Sequence, residues 1–379
     1  MKRILCLFAM LLVLSGCGLV ADEYHSSKPH ESGVQMQMPE AVEVSDMDSL
    51  KDAILRFIKA GREEGTIRTV DYDGDVEADL VQAVYDVVRM TPVGAYAVDY
   101  LNHNLVRIVN YYEISLSITY RRSARDIAAI QQAYSPEQLR GQVERSLRTY
   151  DDHLAMQVTQ DQEYDIAALV QAYCLENPAL MVEKPRIAVS VFPETGAERI
   201  VEVDFFYENT YEQLLEKREA VEESVAAAAE YIRYRQTDRD KTNLLYTYLT
   251  ERFSYTEGRS SAPVWSALCG GIADPMGLAQ GFCMICRKAG VECYTVTGLL
   301  DGQEYTWNIV EDDGDFRHID LAECIALGSG LRRMTDWEMD RYYWNQQDFP
   351  ACVTEPTAGA VLDQLPSTEE GLPEEEELA

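Results

Sequence analysis

Leu244, Leu245, Tyr248, Leu249 and Phe253 recur at helical spacing behind Thr237-Asp238, which predicts a helix running into Ser254-Tyr255-Thr256. Asp274-Pro275 supplies an N-cap followed by proline at the first helical position, and Gly290 is a natural stop, so a second helix is framed from Pro275 to Ala289. Three strand-like runs follow, Cys293–Leu299, Glu304–Glu311 and Phe316–Leu321, separated by the turns Asp301-Gly302 and Asp313-Gly314. A helix followed by a hairpin-rich sheet is an α+β core. The block Trp337–Trp344, with Met339, Tyr342 and Tyr343, reads as an aromatic helix packed as core or groove wall.

Upstream, the alternation over 113–120 and 199–207 signals sheet, and the flanking runs have helical spacing. Asp79-Leu80-Val81-Gln82-Ala83-Val84-Tyr85 and Asp165-Ile166-Ala167-Ala168-Leu169-Val170-Gln171-Ala172-Tyr173 are spaced by 86 residues; each precedes a proline, Pro92 or Pro178, and then an alternating run. Each half reads as a short strand, an amphipathic helix, two strands and a long helix. Duplication and two unrelated α/β segments both fit this match. Ser135-Pro136-Glu137-Gln138 is a capping box that starts a helix toward Tyr150. His103 and His153 stand isolated in polar context and read as surface histidines. The predicted organisation is a first α/β segment over 46–150, a second over 151–236, and a compact third domain over 237–350.

The ends differ in character. Lys2 and Arg3 precede an apolar run from Ile4 to Leu14, long enough for an export signal and too short to span a bilayer. The run ends in Leu14-Ser15-Gly16-Cys17, which resembles the lipobox of bacterial lipoproteins. That resemblance implies a signal peptide over 1–16, acylation of Cys17 and attachment to the extracytoplasmic face of the bacterial cell membrane. Residues 17–45 are polar and broken by proline and glycine, the composition of a flexible stalk, and the tail over 351–379 is acidic and expected to be disordered.

Over the whole 379 residues, 65 Asp and Glu face 33 Lys and Arg, a formal charge of −32. A phosphate backbone demands the opposite balance, which excludes nucleic acid as a partner. Nine cysteines are too few for a disulfide scaffold of this size. Cys283 and Cys286 fall inside a helix with no second cysteine pair or paired histidine after them, so they read as small buried hydrophobes rather than metal ligands. No metal or other cofactor is implied.

Trp265-Ser266-Ala267-Leu268, Pro275-Met276-Gly277-Leu278-Ala279, Ala289-Gly290-Val291-Glu292-Cys293, Thr297-Gly298, Glu304-Tyr305-Thr306-Trp307-Asn308 and His318-Ile319-Asp320, in this order, resemble the bacterial transglutaminase-like domain, a papain-like thiol fold. The family places a cysteine at the start of the core helix, a histidine on the second strand and an aspartate on the third. That chemistry needs a thiolate favoured by the helix dipole, an imidazole to take its proton, and a carboxylate to orient the ring. Here Pro275 stands at the cysteine position and Tyr305 at the histidine position, and Asp320 alone remains. Proline has no thiol and a neutral phenol is a poor base, so the resemblance implies a fold and a groove without the usual activity. The expected role is binding of a peptide, protein or cell-wall ligand, with Trp307, Tyr305 and Asp320 lining the groove. The alternative is a thiol hydrolase or transferase that uses a relocated Cys269 with His318 and Asp320.

Overall fold

Val42–Val44 (β1) turn Val44 into the core, and Asp46 then caps Met47–Lys59 (α1), accepting from the Ser49 N–H at 2.8 Å. The computed structural model describes residues 41–159 and 165–353. The stalk expected over 17–45 therefore stops short of 42, because the Val42/Val44 alternation docks a strand. The signal segment, Cys17, the rest of the stalk and residues 354–379 of the acidic tail lie outside the described residues.

Glu64–Thr69 (β2), Val76–Tyr85 (α2), Pro92–Ala97 (α3), and the hairpin Val98–Ile108 (β3) and Tyr111–Tyr120 (β4) complete a four-stranded sheet of order β1-β2-β4-β3. Ala124–Ala128 (α4) leads to Gln131–Gln132 (β5), Pro136–Thr149 (α5), His153–Thr159 (β6), Ile166–Glu176 (α6), Arg186–Phe192 (β7) and Glu198–Phe206 (β8). Their sheet has the order β5-β6-β8-β7, with the same parallel first pair and the same antiparallel hairpin at the far side. Each unit thus runs strand, helix, strand, helix, hairpin, where the sequence pattern suggested a strand, a helix, two strands and a long helix.

The long helices belong one unit later than expected. β5 pairs with β6, and Leu139, Val143 and Leu147 of α5 pack with Leu154 and Met156, so residues 131–149 belong to the second unit rather than to the first segment, 46–150. The first sheet instead has its own core of Leu50, Ile54, Ile67, Leu80 and Ile114. The two units are latched by Arg122, which grips Glu202 at 2.9 and 2.6 Å while His153 Nε2 meets the same carboxylate at 2.9 Å. His153 is therefore not isolated, although nothing in its local sequence announces the partner.

The third domain begins at Tyr211–Ile232 (α7), whose Val225, Ala228 and Ile232 share a core with the later helices. Asp238–Thr250 (α8), Ser254–Tyr255 (β9), Pro263–Leu268 (α9) and Ile272–Ala273 (β10) precede the central helix Pro275–Lys288 (α10). Cys293–Leu300 (β11), Gln303–Asp312 (β12) and Asp315–Ile319 (β13) form an antiparallel meander, and Leu321–Ala326 (α11) follows. Tyr342–Tyr343 (β14) adds to the β11 edge, giving the order β13-β12-β11-β14. Residues 337–344 are thus a short 3₁₀ turn and a strand, not the expected aromatic helix; Met339, Tyr342 and Trp344 pack inward there as a second layer. Asp301-Gly302 and Asp313-Gly314 all have positive φ, the left-handed pair a two-residue hairpin turn requires.

No described helix is long and apolar enough to cross a membrane.

Candidate functional site

The site grows from the start of α10. Asp274 accepts from the Gly277 N–H at 2.7 Å, and its other oxygen accepts from the Ser260 N–H at 2.9 Å, fixing the loop ahead of α9 to the helix terminus. Pro275 takes the first helical position, where the missing N–H would have had no intrahelical partner. Gly277 is required for contact: a Cβ there would lie 2.4 Å from the Pro263 carbonyl oxygen, so α9 can approach only because no side chain intervenes.

Opposite, β12 alternates. Thr306, Asn308 and Val310 turn toward α10, and the Asn308 amide donates to the Ala279 carbonyl at 2.9 Å. Tyr305, Trp307 and Ile309 turn the other way. Tyr305 stands near the open end of the strand, and its hydroxyl donates to Asp320 Oδ1 at 3.2 Å. Tyr342 donates to Asp320 Oδ2 at 2.7 Å, and the Glu323 N–H donates to Oδ1 at 2.9 Å as Asp320 caps α11. The carboxylate is 1 % exposed, and burial raises its pKa above the ordinary range against the pull of these donors. Burial and the Asp320 charge push both phenols far upward, so they remain neutral donors.

Above this cluster lies a groove of about 820 Å³. The third domain lines it with Tyr255, Pro275, Met276 and Tyr305; the second unit supplies the facing wall, Gln171, Cys174, Met181 and Lys184 among others. The structure thus brings Pro275 and Tyr305 to one groove and seats Asp320 beneath Tyr305. Trp307 does not line it. Period two gives Trp307 the same face as Tyr305 but a position deeper in the sheet, where it is 1 % exposed and packed on Tyr342 and Trp344.

The relocated triad does not assemble. Trp307 Nε1 donates to His318 Nδ1 at 3.0 Å, and an indole N–H can only donate, so the imidazole proton sits on Nε2, facing Asp336 Oδ1 at 2.9 Å. His318 is fully buried, and burial lowers its pKa despite the Asp336 partner. Both ring nitrogens are committed. Cys269 follows α9 as its cap, is exposed, makes no hydrogen bond through sulfur among the described residues, and its thiol is held above the ordinary value by partial desolvation. Neither residue lines the groove.

Sequence reasoning missed three features. Tyr342, the second donor to Asp320, lay hidden in the block read as a helix. The second unit's wall comes from a distant part of the chain. Cys352 lies with His318 and Asp336, their ligand atoms within 4.8 Å of one another, yet it is fully buried and its thiol is pushed up to about 12 by burial and the Asp336 charge. Among the described residues no cysteine sulfur hydrogen-bonds a histidine; the sulfurs of Cys283, Cys293 and Cys352 meet backbone carbonyls instead.

Residues 225–323 match the transglutaminase-like superfamily. Over these residues the fold is transglutaminase-like. The match begins inside α7, consistent with that helix packing on α10 rather than on the second sheet. Among solved structures the chain is similar to one described as a TGase, at 12% identity and a TM-score of 0.26, covering 59% of this chain and 64% of that one. It is also similar to a "putative cysteine protease" from Cytophaga hutchinsonii, at 12% identity and a TM-score of 0.24, covering 40% of this chain and 65% of that one. The chain thus spans less than two thirds of either structure. No curated protein matches it in sequence.

Proposed function

We propose that the transglutaminase-like domain is catalytically inactive and that the protein is a binding protein, holding a peptide, protein or cell-wall ligand in the groove between the domain and the second α/β unit. The observation that carries this reading is the pairing of Tyr305 with Asp320 beside a helix that starts with Pro275. A phenol there donates to the carboxylate as the family's imidazole would, which keeps the frame closed without a base, and no thiol faces it from the helix terminus. The groove persists at about 820 Å³, a size suited to a ligand rather than to a void.

Its rim carries Lys184, Arg259 and Arg341 against Glu257, Asp301, Glu304 and Glu323. Arg259 reaches Glu304 at 3.3 Å, and Arg341 pairs with Asp301, so Glu257 is left as a lining carboxylate that forms no ion pair among the described residues. Extended peptides and solubilised muropeptides titrated against ¹⁵N-labelled protein test the reading. Shifts should cluster on Tyr255, Met276, Tyr305 and the α6 wall, and Met276→Trp, which fills the groove, should weaken binding by about tenfold or more. Shifts confined to other surfaces would refute the groove.

We further propose that Cys17 is acylated and holds the protein at the extracytoplasmic face of the membrane. The support is the basic start, the apolar run and the box ending at Cys17. Cys17→Ser should abolish incorporation of labelled fatty acid; undiminished labelling would refute the anchor.

A further inference from the structure

β3 is the outermost strand of the first sheet, 11 residues long, and among the described residues its far edge pairs with nothing. Which backbone groups face that edge follows from β4. The Tyr112 N–H donates to Thr69 Oγ1 and the Ile118 N–H to the Glu63 carbonyl, so the even positions of β4 turn toward β2 and the odd positions toward β3. The odd positions Ser117, Ser115 and Glu113 pair with Asn102, Asn104 and Val106. Leu101, His103 and Leu105 therefore present their N–H and C=O groups outward. Proteins ordinarily blunt so long an open edge; here the only irregularity in the pairing is the bulge between Val98 and Tyr100, at one end.

The strand is symmetric about His103. Asn102 mirrors Asn104, Leu101 mirrors Leu105, Tyr100 mirrors Val106, and the acid Asp99 mirrors the base Arg107. We propose that this edge is a self-association surface whose occupant is β3 of a second copy of the chain, antiparallel about a twofold axis through His103. Like then meets like across the axis, and at each end of the run the exposed Asp99, the extra residue of the bulge, lies beside the second copy's Arg107. His103 exchanges both backbone hydrogen bonds with its own counterpart, and Leu101 does so with the second copy's Leu105. Leu101 and Leu105 pair with Ile118 and Ile114 on the core side, so in the joined sheet leucines of both copies flank the His103 pair at the axis. Sliding the register by two residues sets Leu101 against Arg107 in one direction and Asp99 against Leu105 in the other, so the charges match in this register alone.

The test uses the full chain with His103→Cys. Cα atoms of a hydrogen-bonded antiparallel pair lie about 5.5 Å apart, within disulfide range, so mild oxidation should give a covalent dimer. Asn104→Cys, opposite Asn102 rather than itself, should crosslink no more than the unsubstituted chain. Sedimentation of the uncrosslinked protein should show Arg107→Asp weakening association roughly tenfold, since each reversal counts twice, with recovery in Asp99→Arg/Arg107→Asp. Equal crosslinking of the two cysteine variants, a charge reversal without effect, or a monomer at every concentration would overturn the proposal.

Discussion

Asp320→Ala is expected to lower the stability of the third domain by about 3 kcal/mol, measured by urea denaturation. The substitution removes the cap of α11, worth about 1 kcal/mol, and leaves the hydroxyl of Tyr342, with that of half-buried Tyr305, without its acceptor, at about 1–3 kcal/mol for each hydroxyl that stays dry. Relief from burying a charge offsets part of this loss. Asp320→Asn keeps an acceptor for Glu323 N–H and Tyr305 and should cost far less. It should also change the pH dependence in a definite direction. Burial raises the Asp320 pKa, so the folded state binds the proton more tightly than the unfolded chain. Stability contributed by this group is therefore highest below the ordinary carboxylate range and falls as pH rises toward the elevated folded value. Asp320→Asn should remove that slope. A variant as pH-sensitive as the parent would show that another group sets it.

How much of this could be read from the chain depends on whether the determinants were local. The α10 frame was legible because Asp274, Pro275 and Gly290 act through their own neighbours: the structure gives Pro275–Lys288, with Asp274 as cap and Gly290 at positive φ. The β11–β13 meander was legible for the same reason, since its Asp-Gly turns fix two hairpins. The phase of the units upstream was not. A helix pattern shows that α5 and α7 exist, but only pairing of β5 with β6 and packing of α7 against α10 show which sheet or core each serves.

Within the site, the placement of Pro275, Tyr305 and Asp320 followed from the order of short runs along the chain. Trp307 was misjudged because period two gives its face but not its depth, and the layer that buries it comes from residues 339–352, more than thirty positions further on. Tyr342 and the α6 wall were out of reach for the same reason: each is brought in by tertiary packing rather than by any neighbouring residue.

The larger expected effect is on chemistry. Losing the nucleophile or the base of such a triad typically costs about 10⁴–10⁶ in rate, and on the function proposed above the groove lacks both. The groove does hold a thiol, Cys174, but burial pushes it up to about 11, although Lys184 pulls the other way, and no histidine hydrogen-bonds it among the described residues. The measurement that bears most directly on this is ammonia and amine release from glutamine-containing peptides, with and without prior alkylation of the protein's thiols. Release should equal the buffer background in both cases. Turnover that alkylation abolishes, and that disappears in Cys174→Ala, Cys269→Ala or Cys352→Ala, would contradict the account.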